Sequence, residues 1–390
     1  MNNAKPRIVV FLICTFFYWF ALYTYVPTMT PYLADLGVSF SMIGLIGGSY
    51  GFSQMLLRLP LGVLSDRLGK RKPFIIFGLI TGAVSSFGMF FTQNAILILS
   101  LRLLSGVSAS AWVVFTVMFT GYFDKSRHAS LMSYLFIANG FGLMLSKLFG
   151  GMLADHYGHE YSFLLGGAAG VFAILLGLFI IEKAPDNKEL PSVKTLFGVI
   201  KNRNLLVMSI LATFSQIVMH STINTFTSEA AAQVGADYMQ IGLLATIASL
   251  PAIFAFIACG KLYSLRNVNV CYVLVFAFSI QIIGSLIIPF TANIAAVYVS
   301  TILIGLGCGI GISTFTGFCT QTVDESKRSA AMGFFQSTYA FGMFAGPVII
   351  GIIVDRTGIS GGFFAAAAFA LTGLVLTLLF YGMDKQTDRN

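Results

Sequence analysis

The chain has 390 residues, 57% of them hydrophobic and 10% charged, with a mean hydropathy of +0.85 and a formal net charge of +8. Soluble domains carry about 25% charged residues, so the composition excludes an ordinary water-soluble globule and reads as a polytopic membrane protein. The basic residues lie in short segments between apolar runs, which sets aside nucleic-acid binding as the meaning of the net charge.

In chain order, the apolar runs fall at 8–33, 41–65, 73–92, 95–121, 130–154, 162–181, 205–228, 239–260, 269–289, 294–320, 330–354 and 361–382. Each comes close to or exceeds the ~20 residues that a membrane-crossing helix needs, which predicts twelve spans. The first is too long for the core of a cleavable signal and lacks a small-residue cleavage site. Pro27 and Pro31 in span one and Pro251 in span eight are expected to bend their helices. Between spans two and three runs Gly62-Val63-Leu64-Ser65-Asp66-Arg67-Leu68-Gly69-Lys70-Arg71-Lys72. A turn this short forces its two spans to be antiparallel neighbours. Between spans six and seven, Glu182 to Asn204 is polar, with Pro185 and Pro191, and reads as a linker with a short interfacial helix around 193–200. With both termini cytoplasmic, 19 of the 23 Lys and Arg fall on the inside and one, Arg356, on the outside. That bias fixes the expected topology in the plasma membrane. The five cysteines, Cys14, Cys259, Cys271, Cys308 and Cys319, lie in apolar runs and read as small core residues.

The turn after span two carries a resemblance. Gly62, Leu64, Ser65, Asp66, Arg67, Gly69, Lys70 and Arg71 resemble the loop 2–3 signature of the major facilitator superfamily. The resemblance implies an all-α membrane fold of 12 transmembrane helices in two pseudo-symmetric six-helix bundles. The bundles would be 1–182 and 205–390, joined by a cytoplasmic linker at 183–204. It implies secondary transport by alternating access, with Gly62, Asp66, Arg67, Gly69, Lys70 and Arg71 as a conformational switch. A carboxylate at Asp66 would then cap a helix N-terminus of the other half; a purely topogenic loop is the alternative. The segment from Arg102 through Gly106 to Ser110 resembles the span-four signature of proton-coupled members, built on Arg-x-x-x-Gly, and implies a role for Arg102 in coupling or in shaping the cavity. Span five departs from the drug-export branch, which carries a proline where this chain has Lys147. That departure counts against an ordinary drug antiporter.

The sequence also repeats itself. At an offset of 200, Gly142, Ser146, Lys147, Gly151, Asp155 and Gly158 meet Gly342, Gly346, Pro347, Gly351, Asp355 and Gly358; at 198, Ile43-Gly44-Leu45 meets Ile241-Gly242-Leu243. Parallel halves of this kind suit a transporter with its site at the membrane midplane. Gly260-Lys261-Leu262-Tyr263-Ser264-Leu265-Arg266 is a weak second copy of the turn, without its acid. The glycines at 305, 307, 309 and 311 follow no strand, so they predict close helix packing rather than a nucleotide site. No phosphate-binding Gly-x-x-x-x-Gly-Lys-Ser/Thr motif occurs, and no cofactor is expected.

Charges inside spans are costly, and so mark cavities or partners. The candidates are Arg58, Arg102, Lys147 and His220, with no carboxylate at mid-depth, so the interior reads as electropositive. Arg102 and Lys147 each lie eight residues inside the outer end of their spans, ~12 Å at the helical rise. They predict a site for an anionic group; the alternative is a Lys147 that snorkels outward. His220, on one stripe with Gln216 and Asn224, is either a proton carrier or a neutral core histidine. Tyr18, Trp19, Tyr23, Gln54, Trp112, Phe115, Asn139 and Gln336 complete the expected cavity lining. His156-x-x-His159 has metal-like spacing but no further ligands. The expectation is a monomeric transporter, not an enzyme, moving a small organic anion or zwitterion with protons. A proton-coupled multidrug efflux antiporter is the alternative.

Overall fold

The computed structural model describes residues 4–122, 128–182, 202–250, 269–321, 323 and 328–387, and every regular element among them is helical. The helices are α1 (Ala4–Tyr23), α2 (Val26–Asp35), α3 (Phe40–Leu68), α4 (Lys72–Phe90), α5 (Ala95–Ser110), α6 (Trp112–Thr120), α7 (His128–Tyr157) and α8 (Glu160–Leu178). They continue as α9 (Arg203–Ser221), a π-helical turn at Thr222–Phe226, α10 (Thr227–Gln233), α11 (Tyr238–Ile247), α12 (Val270–Ile287), α13 (Ile294–Gln321) and α14 (Arg328–Thr387). Pro251, the second-half turn at 260–266, Cys259 and the helix expected near 193–200 lie outside the described residues.

Among those residues, nine stretches are long and apolar enough to cross a bilayer. One of them, Ala331–Tyr381, contains two helices that meet at Gly358, whose φ of 75° and ψ of 178° break the helical path. Helix α3 is long enough at 29 residues, but its glycines, serines and Gln54 dilute its apolar character. Phe77, Val84, Phe91, Leu175, Phe179 and Leu379 are among many large apolar side chains left exposed, as lipid-facing surfaces require.

Several helix ends follow from single residues. Asn94, Asn202 and Asn269 accept hydrogen bonds from amides of the first turns of α5, α9 and α12, each satisfying donors that the helix cannot. Span one breaks at Thr24–Tyr25, just ahead of Pro27, which opens α2, because proline has no amide to continue the earlier ladder. Span four is interrupted at Ala111 between α5 and α6. The sequence repeat reappears in the backbone. Gly158 and Gly358, 200 apart, both have positive φ, and so do Gly37 and Gly235, 198 apart.

Two compact units emerge. The first comprises 1–36, 52–190 and 237–246. In it α1 packs on α7 and α8, and α4 packs on α5 and α8. The start of α11 lies on α7 through facing glycines: a Cβ at Gly151 would meet the Gly242 Cα at 2.6 Å and the Tyr238 carbonyl oxygen at 2.7 Å. The second unit comprises 37–51, 191–236 and 247–390. In it α9 packs on α13 and α14, and α12 on α13 and α14. The glycine run of α13 serves this packing, since a Cβ at Gly307 would lie 2.6 Å from the Ala277 carbonyl oxygen. The start of α3 lies on α14, with Gly44 against the Pro347 carbonyl and Gly351 against the Phe40 carbonyl. The repeat offsets turn one of these contact sets into the other: Gly151 with Gly242 in the first unit, Gly351 with Gly44 in the second. Close approach of this kind is what helix association in lipid depends on.

Candidate functional site

In the first unit, the buried charged side chains among the described residues are cationic apart from the neutral-capable His159: Arg58, Arg102 and Lys147. No carboxylate of that unit is buried among those residues. Lys147, 6% exposed, comes from the middle of α7. Its Nζ donates to the Ala245 carbonyl at 3.4 Å and stands 5.9 Å from the centre of the Tyr23 ring. Ala245 belongs to the last turn of α11, the end at which a helix carries its partial negative charge. The π face of Tyr23 adds a second attraction for a cation. At this level the main chain of Lys147 repeats what Pro347 does in the other unit, packing its carbonyl on a glycine: a Cβ at Gly242 would lie 2.8 Å from the Lys147 oxygen. What differs is the ammonium.

Tyr23 opens a continuous cluster of aromatic rings. Its ring lies 5.9 Å from Trp19, Trp19 lies 5.3 Å from Trp112, and Trp112 and Tyr18 both stack on Phe115, with centroids 6.3 and 4.7 Å away. Spans one, four and five therefore bring Tyr18, Trp19, Tyr23, Trp112, Phe115 and Lys147 together. Asn139, on the same α7, is half-buried.

Arg102, 4% exposed, engages a different residue of span one. Its Nη1 lies 3.2 Å from the Tyr25 hydroxyl and 3.3 Å from the Ser105 hydroxyl, and its guanidinium carbon is 5.6 Å from the centre of the Tyr25 ring. Tyr23 and Tyr25 are two residues apart, a spacing that does not share a helix face. The two cations thus meet neighbouring tyrosines on either edge of the break in span one. Arg58 donates to Gln54 Oε1 at 2.6 Å one turn away on α3, so Gln54 orients an arginine.

In the second unit, His220 is buried, with its ring Nδ1 3.3 Å from Asn224 Nδ2. It sits just before the π-helical turn, and Thr225 donates to its carbonyl at 2.8 Å. Gln336 is half-buried on α14. Span seven, expected over 205–228, runs on through the π turn to Gln233, and Glu229 lies in its last helix at 7% exposure, accepting from Gln233 Nε2 at 3.1 Å. It is the one carboxylate among the buried described residues.

At the basic turn, Asp66 pairs with Arg71 of the same turn at 3.2 Å, and Gly69 takes a φ of 60°. Glu182 accepts from the amides of Arg71 and Lys72, capping the start of α4, while Lys72 Nζ donates to the Leu178 carbonyl at 2.7 Å. Gly62 has room for a methyl group, with its nearest neighbour Val113 at 3.4 Å; Arg67 and Lys70 are exposed or nearly so.

At the opposite end of the first unit, His159 is buried, stacked on Tyr32 at 4.2 Å and edge-on to Phe163 at 4.7 Å. Burial pushes its pKa down to about 3, so the ring is neutral. His156 is exposed and makes a 3.9 Å contact with Asp155. No group of three metal-ligating side chains exists among the described residues. In the second unit, the Asp355 carboxylate accepts from the Phe40 amide at 2.7 Å and the Ser41 amide at 2.8 Å, and from the Ser41 hydroxyl.

Comparison with known proteins agrees with this architecture. The family model described as Major Facilitator Superfamily matches residues 11–230 and again 209–390. An uncharacterised MFS-type transporter of Methanocaldococcus jannaschii is 25% identical over 97% of this chain and 99% of its own length. The quinolone resistance protein NorA of Staphylococcus aureus is 22% identical over 91% of each. The crystal structure of the nucleoside transporter NupG superposes with a TM-score of 0.78 at 16% identity, covering 98% of this chain and 99% of that one.

Proposed function

The chain belongs to the Major Facilitator Superfamily, and from that premise we propose that it carries a small organic anion or zwitterion by alternating access, driven by protons. The observation that carries this reading is the burial of Arg58, Arg102 and Lys147 with no buried carboxylate in the same unit among the described residues. Lys147 is the group for the anion. Its ammonium meets a backbone carbonyl and a ring face, and a solute carboxylate or phosphate would bring it a full opposite charge. An anion arriving over Tyr23 would pair two opposite charges where the carbonyl offers the ammonium only a dipole. Trp19, Tyr23 and Trp112 supply the apolar wall for the rest of the solute. Arg102, tied to Tyr25, shapes span one beside that wall, and Arg58 with Gln54 adds to the positive field. His220 and Glu229 are the groups for the coupled proton. Asp66, Arg67 and the turn around them govern the conformational balance from the cytoplasmic side of the plasma membrane.

The second reading is a proton-coupled multidrug exporter, which the aromatic lining and the likeness to a quinolone resistance protein favour. One experiment separates the two. Purified protein in liposomes is given a pH gradient and offered organic anions and lipophilic cations, with Lys147→Ala and Lys147→Arg alongside. The anion reading expects anion flux that falls at least tenfold in Lys147→Ala and partly returns in Lys147→Arg. Preferential cation flux, or anion flux unchanged in both variants, rejects it.

A further inference from the structure

Beside the basic turn, on the outer surface of the first unit, lies an open groove of about 600 Å³. Lys70, Lys72 and Glu182 stand at its mouth; Pro73, Phe77 and Ile80 form its floor. The floor residues are exposed and follow one stripe of α4 at spacings of four and three, so they line a single face. Val84, also exposed, continues that stripe. From Pro73 to Val84 the face runs roughly 16 Å along the helix, close to the reach of an acyl chain.

The mouth has the opposite character. Lys72 is fixed there by its bond to the Leu178 carbonyl at the end of α8. Lys70 is exposed. The Glu182 carboxylate accepts from the Arg71 and Lys72 amides, so both of its oxygens are already directed at the start of α4. Two ammonium groups against one committed carboxylate leave the mouth net positive, directly above an apolar floor in a membrane protein. We propose that this groove binds an anionic phospholipid, its phosphate at Lys70 and Lys72 and one acyl chain along Pro73, Phe77 and Ile80. Basic pockets at the ends of spans suit acidic headgroups, and each lysine near the phosphate contributes about fivefold in affinity. Neither transport nor the nature of the cargo enters this argument.

The test uses the full-length protein purified in detergent and native mass spectrometry with phosphatidylglycerol, phosphatidylcholine or inorganic phosphate added. The wild type is expected to retain phosphatidylglycerol at least tenfold better than phosphatidylcholine and to gain nothing from inorganic phosphate. The double variant Lys70→Gln/Lys72→Gln, which keeps a donor for the Leu178 carbonyl, is expected to lose most of that preference. Ile80→Trp, which fills the floor without touching a charge, should weaken retention as well. Equal retention of both lipids by the wild type overturns the proposal without any variant. So does competition by inorganic phosphate alone, which marks an anion site with no place for a lipid tail. Preference surviving in Lys70→Gln/Lys72→Gln, or undiminished retention by Ile80→Trp, overturns it too.

Discussion

Removing the carboxylate of Asp355 should loosen the start of α3. The amides of Phe40 and Ser41 belong to the first turn of that helix and have no acceptor within it. A side chain 315 residues away supplies one, at 2.7 and 2.8 Å. Losing a helix-capping acceptor costs about 0.5–2 kcal/mol, and the helix-end charge effect adds about 0.3 kcal/mol at the low end that suits an exposed carboxylate. In Asp355→Ala the sum is about 1 kcal/mol, roughly fivefold in a local opening equilibrium. Hydrogen exchange of a peptide covering 37–45 reads that opening directly. The two amides should exchange about fivefold faster in Asp355→Ala. Asp355→Asn, which keeps one neutral acceptor, should fall between. Half-molar salt should erase part of the wild-type protection but none of the variant's. Unchanged exchange at 37–45 in Asp355→Ala would show that the carboxylate is not what secures this helix end.

Other outcomes follow from the same geometry. His159 stays neutral in the fold, with its pKa held near 3 by burial against an ordinary value of 6.5. The unfolded chain therefore takes up a proton as pH falls below 6.5 and the folded one does not. Stability should drop by about 1.4 kcal/mol between pH 7.5 and 5.5 on this account alone, and His159→Phe should flatten that part of a pH series of unfolding curves. Gly242→Val would thrust a branched side chain at the backbone of Gly151 and Lys147, 2.8 Å from each at its Cβ. Overpacking of this kind costs about 1–3 kcal/mol and should lower Tm; a neutral result would refute the close approach. Glu229→Gln should abolish accumulation driven by a pH gradient while leaving solute exchange between the two sides of a liposome intact. Loss of both, or of neither, removes Glu229 from the proton's path.

Much of the fold was legible because membrane spans announce themselves by length and polarity. The repeat at offsets of 198 and 200 was legible too, and it reappears as paired positive-φ glycines and as two equivalent glycine contacts. Which helix each glycine would face was not written in it, since a glycine records that something comes close and not what. The burial of Lys147 was legible, because a charge inside an apolar span must face protein or a cavity. Its partner was not, because a backbone carbonyl leaves no mark on the residue type at Ala245. Span seven runs five residues further than its apolar run, because Thr227, Ser228 and Glu229 look like a polar exit yet are buried in the helix that ends at Gln233. Asp355 was legible only as a member of the repeat. Nothing local to it signals that its oxygens meet residues 40 and 41, which the chain reaches only by folding.

The interruptions at Thr24–Tyr25, at Ala111 and at Thr222–Phe226 give spans one, four and seven articulated rather than stiff cores. A rigid rod anchored at both bilayer faces must tilt whole, dragging every side chain through the hydrocarbon. A jointed one can swing its upper third about a knuckle while the lower part holds station. The knuckle of span one, Thr24–Tyr25, directly follows Tyr23, whose ring faces the Lys147 ammonium, and includes Tyr25, whose hydroxyl meets Arg102, so a bend there resets the surroundings of both buried cations.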